Sequence, residues 1–190
     1  MKHLFAAALV SGALLAPSSV WADAITLEPA DPQPSSADLT PGLAVLYSGK
    51  FGGRSLEEMN AEVKKWTPGP ALAGLSYDTA EGESALTSDT AAKIGAKISG
   101  FINFETPGTY TLEFLSNDGL EIAIGNQMVG LYDGVHDCGY VGEVEVEVPV
   151  AGFYPVEASY FQRKGGACLL MEWGPDSDGL EQVPDSAFFH

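Results

Sequence analysis

Lys97-Ile98-Ser99-Gly100-Phe101-Ile102-Asn103-Phe104, the break Thr106-Pro107-Gly108, and Tyr110-Thr111-Leu112-Glu113-Phe114 decide the fold. Two runs rich in β-branched and aromatic side chains flank a proline-glycine turn, which is the pattern of a hairpin. In the second run Tyr110, Leu112 and Phe114 fall on one side, with Thr111 and Glu113 on the other. That alternation belongs to a sheet with one buried and one wet face.

The same period continues toward the C-terminus. Leu120, Ile122 and Ile124 alternate with Glu121 and Ala123, Gly125-Asn126 turns the chain, and Met128 to Leu131 runs back. A polar loop is expected from Tyr132 to Gly142. Beyond it Val144, Val146 and Val148 alternate with Glu143, Glu145 and Glu147, a half-buried strand whose charges discourage edge-to-edge pairing. Tyr154–Phe161 and Ala167–Trp173 give two more strands around Arg163-Lys164-Gly165-Gly166. Trp173 shares a strand face with Ala167, Leu169 and Met171, so it is expected in the core.

Toward the N-terminus the apolar run Leu43–Tyr47 is the first strand. Ser55-Leu56-Glu57-Glu58 is a capping-box pattern opening one short helix to about Lys65, with Leu56, Met59 and Val63 on one face and Pro68-Gly69-Pro70 beyond it. Asp23–Thr40 contains Pro29, Pro32, Pro34, Ser35 and Ser36, a composition that favours a loose, solvated arm over a packed element. Order is expected from Gly42. Short strands, frequent turns and a single helix predict an all-β, antiparallel β-sandwich or barrel-like sandwich over residues 42–190, preceded by the arm at 23–41.

Residues 1–22 read as a secretory signal: Lys2 and His3, an apolar run from Leu4 to Leu15, then small residues ending at Ala22. The run is shorter than the ~20 residues a spanning helix needs, so no membrane insertion is expected after cleavage. The expected compartment is the periplasm or the exterior. There the only two cysteines, Cys138 and Cys168, suit one disulfide, and their spacing matches no zinc or redox motif. The formal charge is −17, and the leader holds only Lys2 among its charged residues, so the mature chain is more acidic still. Nucleic acid and anionic lipid are poor partners for such a surface.

Several motifs, in order, resemble the protective-antigen-type (PA-fourteen) domain family: Pro107-Gly108-Thr109-Tyr110-Thr111-Leu112, Ser116-Asn117-Asp118-Gly119-Leu120, Ala151-Gly152-Phe153-Tyr154-Pro155-Val156, Tyr160-Phe161, Gly165-Gly166-Ala167 and Leu170-Met171-Glu172-Trp173. Gly42–Tyr47 and Val183-Pro184 extend the resemblance over nearly the whole of 42–190. It implies a β-sandwich and a binding module for carbohydrate or another polar surface ligand. It also places a site at Asn117 and Asp118, where sugar-binding members carry two aspartates, joined by a cis peptide, that hold calcium. Asp118 matches the second acid and Asn117 departs from the first.

Calcium favours several oxygen ligands, so Asn117 weakens the charge attraction while its amide oxygen can still coordinate. Asn-Asp-Gly is equally what a tight turn between strands uses, and that alternative stays open. Tyr132, Asp133, His136 and Asp137 in the following loop offer further oxygens and an aromatic face for a sugar ring. Against catalysis, the chain has no Gly-rich phosphate loop, no His-Glu-x-x-His helix and no Gly-x-Ser-x-Gly elbow. Of its three histidines, His3, His136 and His190, only His136 sits where a general base would be useful. The expectation is a non-enzymatic module whose partner is a glycan or, alternatively, an envelope protein that uses the sandwich as a scaffold.

Overall fold

The computed structural model describes residues 24–190; the expected leader at 1–22 lies outside them. Two β-sheets stack face to face, with one α-helix at one end and no closed barrel among the described residues. In chain order the strands are β1 (Ile25–Thr26), β2 (Ala44–Ser48), β3 (Trp66–Pro68), β4 (Ser76–Asp78), β5 (Ile94–Phe104), β6 (Gly108–Ser116) and β7 (Leu120–Ile124). They continue as β8 (Gln127–Tyr132), β9 (Gly139–Val148), β10 (Gly152–Gln162), β11 (Cys168–Gly174), β12 (Glu181–Gln182) and β13 (Phe188–Phe189). One sheet runs β1-β9-β6-β11-β12, with β4 also on β11; the other runs β3-β2-β5-β10-β7-β8, with β13 on β5.

The alternation read from the sequence is what closes the sandwich. Ile98, Ile102 and Phe104 of β5 and Tyr154, Val156 and Tyr160 of β10 face Leu112 and Phe114 of β6, Val146 and Val148 of β9, and Leu169 and Met171 of β11. Each such side chain contributes roughly 1.5–3 kcal/mol by leaving water. Between Phe114 and Leu115 the β6–β9 register shifts, which lets Leu115 pair with Tyr140 and starts β9 at Gly139. The polar loop expected to reach Gly142 therefore ends earlier, because the irregular pairing recruits residues that lack clean alternation.

Trp173 takes the core-facing side as expected, but it is only partly buried. It lies near the end of β11, where the sheets stop covering each other, so alternation named its face correctly and overstated its depth.

The arm is not loose. Leu27 is buried, and its N–H donates to Glu147 O at 2.9 Å as β1 lies parallel to β9. Glu28 N reaches Gly125 O at 3.0 Å, an approach that Gly125 permits with its φ of +54° and no side chain in the way. Gln33 then donates to and accepts from the Phe153 backbone. Proline-rich composition indicated extended chain, and these long-range bonds turn it into a sheet edge. At the other end Phe188 is buried, and Thr40 and His190 exchange both backbone hydrogen bonds at 2.8 Å.

Helix α1 (Leu56–Glu62) is shorter than expected: Val63 already has an extended backbone, although its N–H still reaches Met59 O. Ser55 Oγ accepts from Glu58 N at 3.0 Å, and Glu58 reaches back to Arg54 N at 2.6 Å. Leu56 and Met59 pack with Phe51 and Phe161 in a small second core, where the Phe51 and Phe161 rings meet edge-on at 5.7 Å. This cluster fixes the helix over the end of the sandwich that carries the Asn117-Asp118 segment.

Candidate functional site

Asn117-Asp118-Gly119 carries the chain from β6 in one sheet to β7 in the other, so it is a crossing between layers and not a hairpin. Asp118 takes the left-handed conformation (φ +57°), and its peptide bond with Asn117 is trans. The crossing is anchored on both sides: Asn117 N donates to Cys168 O at 3.0 Å and Asp118 N to His136 O at 3.1 Å. Both residues are enclosed, Asn117 at 3% and Asp118 at 2% exposure, where the resemblance implied a ligand site.

Asn117 Oδ1 and Asp118 Oδ2 are both held by donors of the fold. Asn117 Oδ1 accepts from Tyr160 Oη at 2.6 Å and from Cys168 N at 2.9 Å. Asp118 Oδ2 accepts from Arg163 N at 2.6 Å, with Asn117 Nδ2 at 3.4 Å. Burial pushes the Asp118 carboxyl up from its ordinary value, outweighing the backbone hydrogen bonds and the His136 charge that favour ionisation. Burial and the Asp118 charge likewise push the Tyr160 phenol well up, so it stays a donor.

Over this layer lies the Tyr132–Cys138 segment. The Tyr132 and His136 rings stack with centroids 3.9 Å apart and planes 36° apart, each partly exposed. His136 Nε2 sits 3.1 Å from Asp118 O; a carbonyl can only accept, so Nε2 carries the proton in that contact. Asp133 Oδ1 accepts from Leu56 N at 2.5 Å and caps the first turn of α1. Asp137 is exposed, and Cys138 is joined to Cys168 with Cα atoms 5.5 Å apart. The structure thus brings the expected residues into one neighbourhood but divides their work. Asn117, Asp118 and Asp133 are braces, His136 ties the loop to the crossing with its ring partly exposed, Tyr132 is partly exposed and Asp137 is exposed.

Two of the oxygens that the family resemblance assigns to calcium already have partners inside the protein. Asn117 Oδ1 is already shared by two N–H or O–H groups, and Asp118 Oδ2 is held by a backbone amide. Among the described residues no group of three or more His, Cys, Asp or Glu side chains converges as a metal set. Sequence reasoning missed Tyr160 as Asn117's partner. The signal was available, since Tyr154, Val156, Ala158 and Tyr160 share the inward face of β10 and place a hydroxyl in the core that needs an acceptor.

Among the described residues no helix is long and apolar enough to cross a membrane. No curated protein sequence matches the chain. Solved structures do match in fold. The PA14 domain of the antifreeze protein MpAFP superposes with a TM-score of 0.66 at 18% identity, covering 82% of this chain and 93% of that one. A PA14 sugar-binding domain from an RTX adhesin gives 0.58 at 18%, covering 80% and 99%. The epithelial adhesin 9 A domain of Candida glabrata, solved with Galβ1-4GlcNAc, gives 0.65 at 13%, covering 87% and 95%. The family model for the PA14 domain matches residues 78–187, more than half of the sequence and all of the crossing and its overlying loop, and the chain therefore belongs to the PA14 domain family.

Proposed function

We propose that this chain is an exported, non-catalytic carbohydrate-binding module that meets its ligand at the Tyr132–Asp137 loop without calcium. The observation that carries the reading is the Tyr132–His136 ring stack, partly exposed and held above the Asn117-Asp118 crossing. Stacked rings offer a sugar its apolar face, and Asp137 beside them offers a hydroxyl acceptor. The disulfide and the Asp133 cap hold the loop in place before binding, which limits the ordering cost on association. Family membership supports the ligand class, and sugar-binding and glycan-bound domains stand among the structures of similar fold.

The test is a glycan array that includes Galβ1-4GlcNAc, read with and without chelator for the wild type and for Tyr132→Ala. Chelator-insensitive binding that falls about tenfold or more in the variant supports the reading. An array without signal, or binding indifferent to Tyr132, counts against it.

A second reading, a protein-interaction domain of the envelope, is favoured by one observation: Asn117 Oδ1 and Asp118 Oδ2, which the resemblance would give to a metal, bond instead within the fold. Its mark would be stoichiometric co-purification of one protein, unaffected by chelator and by Tyr132→Ala.

A further inference from the structure

Between the β5–β6 turn, the β11–β12 connection and the segment before β13 lies a cleft whose floor is aromatic. Two lobes of about 460 and 310 Å³ share Thr106, Tyr110 and Trp173. The Tyr110 and Trp173 rings are 5.8 Å apart at 42°, and both lean on buried Phe104, at 5.0 and 5.4 Å. Tyr110 Oη donates to Thr106 O at 2.8 Å, which fixes the ring without a ligand. The floor is therefore preorganised, and the partial exposure of Trp173 is what opens it.

The rim has one sign of charge. Glu181 lines one lobe and Glu105 the other, each exposed, and no lysine, arginine or histidine lines either. Every described cation, Lys50, Arg54, Lys64, Lys65, Lys93, Lys97, Arg163 and Lys164, lies outside both lobes. Burial, then the Glu105 charge, push the Tyr110 phenol up, consistent with a negative surrounding field. Aromatic faces beside carboxylates attract a ligand that is flat on one side and cationic.

We propose that this cleft is a second binding site, separate from the Tyr132–Asp137 loop, for an amine-bearing sugar: the ring lies on Trp173 and Tyr110 while its ammonium group pairs with Glu181 or Glu105. The inference takes its ligand class, a glycan, from the reading above and its place from different residues. Lobes of a few hundred Å³ suit one or two pyranose units. The chain's strong negative charge raises the local concentration of such a cation and repels acidic sugars.

The probe is a glucosamine trimer set against the N-acetylglucosamine trimer, which keeps the scaffold and removes the charge. Binding is read by calorimetry and tryptophan fluorescence in the full mature chain at low and at high salt. The amine trimer should bind at least about tenfold more tightly than its acetylated form, weaken with salt, and lose that preference in Glu105→Gln/Glu181→Gln. Tyr132→Ala should leave the preference for the amine trimer unchanged. Trp173→Phe, which keeps an aromatic ring against Phe104, should weaken it without unfolding the chain.

Equal binding of the two trimers, or an amine preference that survives the double glutamine variant, overturns the proposal. So does an amine preference lost in Tyr132→Ala. If the array signal at Tyr132 is present while the amine trimer is silent, this site fails and the loop reading stands; the reverse pattern fails the loop and keeps the cleft.

Discussion

Tyr160 donates its phenolic proton to Asn117 Oδ1 across 2.6 Å, and that bond joins the C-terminal part of β10 to the crossing between the two sheets. Because Cys168 N uses the same oxygen, the amide is a three-way tie between β10, β11 and the crossing.

Tyr160→Phe should destabilise the fold by about 1–2 kcal/mol, since it removes one of two bonds to an enclosed acceptor and leaves the ring packing intact. Asn117→Asp should cost more. It would set a second acid against Asp118, replacing the Nδ2 that now donates to Lys164 O at 3.5 Å and faces Asp118 Oδ2. Denaturant melts of both variants check this, and a calcium-dependent rise in melting temperature is expected of neither the wild type nor Tyr160→Phe.

Acid should favour this fold at two carboxyls. Burial raises Asp118; burial, then Glu172, then Glu143 raise Glu113, which pairs directly with both glutamates across β6, β11 and β9. Each group holds its proton more tightly folded than unfolded. Their contribution is therefore full below the ordinary carboxylate pKa and is lost as pH rises through the raised folded value. Glu113→Gln removes two like-charge cross-strand contacts and should stabilise by roughly 0.2–1 kcal/mol per contact near pH 7, with the gain fading in acid. Melts across the pH range read both the sign and the fading.

Replacing Cys138 and Cys168 by serine should cost roughly 3–4 kcal/mol, the loop entropy expected for their sequence separation of 30. If Tyr132 and His136 need that staple to keep their stack, glycan binding measured below the melting temperature should fall as well.

Leu27→Ala should lower stability by roughly 2–5 kcal/mol, the range for a fully enclosed leucine. A loose arm would register almost nothing, so the same melt distinguishes a docked first strand from a tether.

The sheets were legible because a two-residue period is local: Val144, Val146 and Val148 declare their inward side without reference to anything distant. The helix face was legible for the same reason, through Leu56 and Met59. What escaped was set by partners far along the chain. Asn117 and Asp118 look alike in an open metal site and in a closed crossing, and it is Tyr160, Cys168 and Arg163 that decide between them. The Ile25–Leu27 contact with β9 is likewise a pairing across more than a hundred residues that no proline count reveals. Trp173 shows the third limit, since strand alternation gives a direction and not the point at which a sheet ends.

The reciprocal bonds between Thr40 and His190 have a mechanical meaning. Tension delivered at Thr40 and His190 loads that clasp before the strands between them, whereas a pull from further upstream must first strip the Ile25–Leu27 pairing with β9. Under tension of that kind the module would hang like a bead from a closed ring, with the Tyr132–Asp137 loop unstretched.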